Sequence, residues 1–152
     1  MPITEARPDE MALVRDLFEE YEQFLGFDLC FQNFQAELDS LPGAYGPPTG
    51  ALLLAREKEQ VIGCVGLRAI EPGVCEMKRL YLRSEARGKG LGMALCQAVI
   101  ERARSLGYNR MKLDTVSKLE KAIELYRSLG FQECTAYCHN PRPDVQYFEL
   151  KL

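Results

Sequence analysis

The chain has 152 residues, enough for one ordinary domain with a single core, and its 47% apolar and 27% charged content is that of a soluble globular protein. A net charge of −3 at pH 7 and an isoelectric point near 5.3 argue against a nucleic-acid binder, so the cations Lys78, Arg79, Arg83, Arg87 and Lys89 suit a small polyanion better than a duplex. The longest apolar run, ALLLA, is far too short to span a bilayer, and the opening MPITEARPDE has early acids and no apolar leader, so no membrane partner and a cytoplasmic residence are expected.

ITEAR reads as a short strand stopped by Pro8. From Asp9 to Leu25, the residues Val14, Leu17, Phe18, Tyr21 and Phe24 recur at three- and four-residue steps among charged ones, the pattern of an amphipathic helix, and Gly26 ends it. FQNFQAELDSL predicts a second, shorter helix, and PGAYGPPTG a loop. ALLLAR and VIGCVGLRAI, separated by the polar EKEQ, predict a hairpin, and EPG turns the chain into a third strand, VCEMKRLYL. After a glycine-rich stretch, Leu91, Ala94, Leu95, Ala98, Val99, Ala103 and Leu106 mark a long helix closed by Gly107. RMKLDTV is a strand, LEKAIELYRSLG a helix ending at Gly130, FQECTAYC a strand, HNPRPD a loop and VQYFELKL the last strand.

The order β-α-α-β-β-β-α-β-α-β-β predicts an α+β fold, a mixed and mostly antiparallel sheet flanked by helices, with residues 1–152 forming one domain. Six cysteines (Cys30, Cys64, Cys75, Cys96, Cys134, Cys138) show no C-x-x-C pair, and four lie in apolar runs where reduced cysteine packs as a small hydrophobe. CTAYCH is a metal-like fragment without a second pair of ligands, so no metal is expected.

The stretch Arg87-Gly88-Lys89-Gly90-Leu91-Gly92 sits between a strand and a helix. Glycines there let successive N–H groups point outward while the helix adds the positive end of its dipole, which together form an anion site. No G-x-x-x-x-G-K-[ST] occurs, and the spacing Gly88-x-Gly90-x-Gly92, after at least three strands, does not fit the dinucleotide fingerprint.

The R-x-x-G-x-G pattern resembles the GNAT family of acetyl-CoA-dependent N-acetyltransferases. RLYLRSEARGKGLG is similar to that family's strand, loop and pyrophosphate turn, AIELYRSLGF to its A-x-x-x-Y-x-x-x-G-F helix, and the element order is the family's over the whole chain. The resemblance implies a GNAT-like fold, acetyl-CoA as co-substrate and an amine-bearing acceptor, small molecule or peptide. It leaves open whether the chain acts alone or as a homodimer. It also implies that Arg87, Gly88, Lys89, Gly90, Leu91 and Gly92 hold the pyrophosphate, and that the backbone of Leu80, Tyr81 and Leu82 takes the pantetheine amides and the oxyanion, provided the strand parts from its neighbour.

Strand alternation puts Glu76, Lys78, Leu80 and Leu82 on one face, and the resemblance, in which a strand-borne glutamate lies just upstream of the cofactor-binding residues, implies Glu76 as a candidate general base acting through water, with a structural ion pair to Lys78 or Arg79 as the alternative. Tyr126 lies on the apolar stripe Ala122, Leu125, Tyr126, Leu129; the resemblance makes it the acid that protonates the leaving thiolate. Leu119 stands where many family members carry an asparagine, so one side-chain hydrogen bond to the cofactor is missing. A non-catalytic acyl-CoA sensor and a nucleic-acid module using the Arg/Lys cluster are the competing readings, and FLGFDLCFQNF, GAYGPPTG and YCHNPRPDVQY are the segments expected to set acceptor choice.

Overall fold

The computed structural model describes residues 3–26 and 33–152. Strand β2 (Ala51–Glu57) is apolar without alternation because both of its faces are covered. Ala51, Leu53 and Ala55 pack into one core cluster, whereas Leu52 and Leu54 pack into the other. The second cluster is closed by α1 (Met11–Leu25), through Val14, Leu17 and Phe18, and by α2 (Phe34–Asp39), through Phe34 and Leu38. The first is closed by α3 (Leu91–Ser105), through Leu95, Cys96 and Val99, and by Tyr126 of α4 (Glu120–Ser128). Helices therefore cover both sides of one sheet.

The sheet comprises β1 (Ile3–Glu5), β2, β3 (Gln60–Glu71), β4 (Val74–Leu82), β5 (Arg110–Val116), β6 (Gln132–Glu133) and β7 (Val145–Lys151), in the spatial order β1-β2-β3-β4-β5-β7-β6. Among the described residues, only the β4–β5 pair is parallel. The fold is thus the mixed, mostly antiparallel α+β arrangement expected, in the expected element order.

Several boundaries differ from expectation. A 3-10 turn at Pro8–Glu10 precedes α1, so the helix starts at Met11 rather than Asp9. The expected strand FQECTAYC pairs only at Gln132–Glu133 plus one further bond, from Cys134 N to Tyr147 O at 2.9 Å. Its later residues are drawn elsewhere: Tyr137 stacks edge-on against Tyr147 and donates its hydroxyl to Glu76. The start of FQNFQAELDSL and Cys30 fall outside the described residues.

The feature that shapes the site lies in β4. Gly66 is opposite Lys78 and Cys64 opposite Tyr81, so Arg79 and Leu80 together face the single residue Val65, which defines a β-bulge. Arg79 absorbs it with φ at +61°, a conformation that costs a non-glycine residue about 1 kcal/mol or more. The compensation is local. The Arg79 guanidinium donates to both Glu37 oxygens, at 2.9 and 3.0 Å, and lies over the Phe34 ring at 5.1 Å and the Tyr21 ring at 5.9 Å.

The extra residue shifts the strand's parity. Cys75 and Met77 face the α3 side, as do Leu80 and Leu82 beyond the bulge, while Glu76 and Lys78 face the α1–α2 side. Glu76 and Lys78 are therefore not on the same face as Leu80 and Leu82, contrary to simple alternation. Past Glu76, which pairs with Lys112, β4 and β5 share no further pairing, and the two strands part.

Both members of the Arg79–Glu37 pair are buried, with side-chain exposures of 2% and 11%. Glu37→Ala leaves a guanidinium buried without its partner and is expected to lower stability by about 3–5 kcal/mol. Denaturant unfolding checks this, and a loss below about 1 kcal/mol, the range of surface pairs, would mean that the pair does not hold the bulge.

Candidate active site

The glycine stretch forms the turn into α3. Gly88 and Gly90 have φ of +80° and +79°, and Gly90 is the helix N-cap, with no side-chain capping bond. A Cβ built on either would meet nothing within 4 Å, so the space above both is open. Arg87 N bonds to Ser84 O and Ala94 N to Gly90 O, but the six amides from 88 to 93 donate to no described residue. A row of free N–H groups at a helix start is an anion cradle. The nearby cations are engaged elsewhere: Arg87 Nε donates to Leu82 O at 3.0 Å with its guanidinium 4.4 Å from the Phe24 ring centre, and Lys89 Nζ sits 3.1 Å from Glu57. The backbone, more than these side chains, is what the turn offers a ligand.

Where β4 and β5 part, a cleft opens, about 770 Å³ counting its solvent-open mouth. Met77 to Leu80 form one wall, Leu113 to Val116 the other, and α1 and α4 contribute Phe24, Leu119 and Tyr126. Of the sequence candidates, Leu80 and Tyr126 line this cleft. Tyr81 turns its ring to Tyr21 and Phe24 of α1, and the Leu82 carbonyl accepts from Arg87. Tyr126 is 6% exposed and packs edge-on against Phe131, and its hydroxyl makes no hydrogen bond to a described residue. Burial holds its pKa well above that of free tyrosine, so the hydroxyl remains protonated through neutral pH.

Two cleft residues were not singled out from sequence, Asp114 and Thr115, because RMKLDTV reads as an ordinary strand until its neighbour is known to leave. Alternation places Asp114 on the α1–α2 side, where Asn140 Nδ2 donates to it at 3.3 Å, and Thr115 on the α4 side with Leu113 and Met111. Among the described residues no group of three or more His, Cys, Asp or Glu is arranged to hold a metal.

Glu76 does not line the cleft. It is 2% exposed and sits opposite Arg68 of β3, whose Nε donates to Oε1 at 2.8 Å. Oε2 accepts the Tyr137 hydroxyl at 2.6 Å, with Lys78 Nζ 3.9 Å away. Burial alone would raise its pKa, but Lys78 and Arg68, with the two hydrogen bonds, hold it below the usual glutamate value. A group whose folded pKa lies below its unfolded value of about 4.3 stabilises the fold above that pH and loses the contribution as pH falls through the folded value. Glu76→Gln is expected to cost about 2 kcal/mol at pH 7, discounted for the partly exposed Arg68, and to flatten the loss of stability below about pH 4.3. Unfolding curves from pH 7 to pH 3 for both proteins check this, and parallel acid limbs would mean that Glu76 does not titrate as an ion-pair partner.

The profile of the Acetyltransferase (GNAT) family matches residues 11–131. An uncharacterised N-acetyltransferase of Schizosaccharomyces pombe is 43% identical over 147 residues, covering 95% of this chain and 90% of that protein. Among solved structures, an acetyltransferase from Streptococcus agalactiae superposes with a TM-score of 0.80 at 22% identity, over 99% of this chain and 97% of its own. An acetyltransferase from Salmonella typhimurium, solved with its cofactor acetyl-CoA, gives 0.73 at 20% identity, over 98% of this chain and 92% of its own. The glycine turn, the parted strands and the A-x-x-x-Y-x-x-x-G-F helix all lie within the matched span, and the chain belongs to the GNAT family of acetyltransferases.

Proposed function

We propose that the chain transfers an acetyl group from acetyl-CoA to a primary amine. The observation that carries this reading is the cleft between β4 and β5, which divides the sheet beside a helix start with six unengaged amides. Acetyl-CoA supplies the thioester acyl group and the thiol leaving group. The amides of residues 88–93 would hold its pyrophosphate, and the β4 backbone from Met77 to Leu80, with no β5 partner, would pair with the pantetheine amides as an added strand does. The Salmonella relative's bound acetyl-CoA supports the same reading.

An amine must reach the acyl carbon unprotonated, yet an alkylammonium of pKa about 10.4 is charged at neutral pH. Asp114, a cleft-lining carboxylate with two weak hydrogen-bond partners, Asn140 Nδ2 and Cys138 Sγ, both on Oδ2, is better disposed to take that proton than Glu76, whose two oxygens are occupied. In this reading Glu76 is an ion-pair partner, chiefly of Arg68 with Lys78 at 3.9 Å and not of Arg79, which Glu37 holds, and it braces Tyr137. Tyr126 donates its hydroxyl proton, or a hydrogen bond, to the sulfur as it leaves.

Release of free thiol from acetyl-CoA in the presence of an amine panel tests the reaction. A non-catalytic acyl-CoA sensor would bind the ligand and release none above the solvent background. Tyr126→Phe is expected to lower kcat about tenfold or more with coenzyme A affinity unchanged, and an unaltered kcat, with product release not limiting, would remove the acid role. Asp114→Asn is expected to lower kcat by about 10²-fold, with the loss shrinking at high pH, where the amine deprotonates unaided. Gly90→Ala puts a methyl group into the open space over the turn and is expected to weaken coenzyme A binding about tenfold in calorimetry. Its backbone strain costs the fold only about 1–2 kcal/mol.

A further inference from the structure

Thr115 presents an unpaired polar group in the cleft. Its residue is 7% exposed, its Oγ1 is shut from solvent, and it makes no hydrogen bond in the structure. Buried hydroxyls are nearly always paired, so an unpaired one in a residue that lines a ligand cleft calls for a partner that arrives when the cleft is filled. Its position specifies the partner. Thr115 shares a strand face with Met111 and Leu113 and so points to the α4 side, the side of Tyr126, whereas Asp114 looks to the opposite side. Leu119, the N-cap of α4, offers no side-chain hydrogen bond at the point where the chain enters that helix. Among the described residues lining the cleft, Thr115 is the one whose side-chain oxygen is both fully enclosed and without a hydrogen bond.

We propose that the Thr115 hydroxyl binds an amide of the pantetheine arm of coenzyme A, supplying from β5 the side-chain hydrogen bond that Leu119 does not. The inference rests on the acetyl-CoA reading above. A hydroxyl can donate to an amide carbonyl or accept from an amide N–H, so either orientation of the arm satisfies it. The contact is a binding one, made to the cofactor and not to the acceptor amine, and it adds a side-chain anchor to the backbone one of the glycine turn.

Isothermal calorimetry of coenzyme A alone, without any amine, tests this on Thr115→Val and Thr115→Ser. Valine keeps the shape and removes the hydroxyl. The expected result is about tenfold weaker coenzyme A binding for Thr115→Val, the loss of one hydrogen bond in a closed site, and near wild-type binding for Thr115→Ser. The melting temperature of ligand-free Thr115→Val should be unchanged or higher, because the hydroxyl it removes has no partner in the free protein. Wild-type affinity in Thr115→Val overturns the proposal while leaving the cofactor reading intact. A lowered melting temperature accompanying weaker binding would also overturn it, since the hydroxyl would then be serving the fold. If the wild-type chain itself fails to bind coenzyme A, the cofactor reading falls and this proposal with it.

Discussion

The bidentate bond between Arg79 and Glu37 is the constraint on which the site depends. A bulge with a non-glycine residue at positive φ is unfavourable in isolation, and here a buried guanidinium on α2's carboxylate and two aromatic rings from α1 and α2 hold it in place. The bulge lies three residues beyond Glu76, the last β4 residue paired with β5. Bulges increase local twist and bend the strand that carries them, which turns β4 away from its parallel neighbour. Two helices on one face thus hold open a gap whose other wall belongs to β5 and α4.

The same bulge decides which side chains share a face. Because side-chain direction in a strand has period two, one inserted residue exchanges faces for everything after it. Glu76 and Lys78 stay with Arg68 and Tyr137 on the α1–α2 side, and Leu80 and Leu82 join the α3 core. An ionised glutamate among these partners forms a tightly bonded polar network, and such a network makes a rigid wall more readily than a proton acceptor.

What the sequence makes legible follows from how local each rule is. The element order and the glycine turn into α3 depend on neighbouring residues and could be read directly. The bulge could not: its cause, Glu37, is 42 residues away, and arginine carries no local preference for positive φ. For the same reason Tyr137 read as part of a strand, since its partner Glu76 is 61 residues distant. Asp114 and Thr115 went unnoticed because a paired strand and a parted strand have the same composition. At the glycine turn the structure adds the state of the neighbouring cations: Arg87 and Lys89 are engaged with Leu82 and Glu57, which leaves the backbone amides that the glycines pointed to.

The division of the cleft into two sides gives the acetyltransferase reading its chemical economy. The α3–α4 side carries groups that suit a long, amide-bearing ligand: free N–H donors at the helix start, the unpaired Thr115 hydroxyl and the protonated Tyr126. The α1–α2 side carries the carboxylate of Asp114, suited to a cationic or hydrogen-bonding acceptor, with the braced Glu76 network outside the cleft lining. The two sides meet only where β4 and β5 separate, so a thioester lying in the gap and an amine arriving from the other face would approach each other through the sheet. Positioning of this kind, which converts an encounter into a unimolecular step, can supply much of an acyl transfer's acceleration without a strongly perturbed base. The electrostatics are consistent with that: Asp114, the carboxylate among the described residues of the cleft, is loosely held, and the tightly held one, Glu76, is kept ionised by cations on its own side of the sheet. A site arranged in this way depends more on the geometry of the bulge than on the basicity of any single residue.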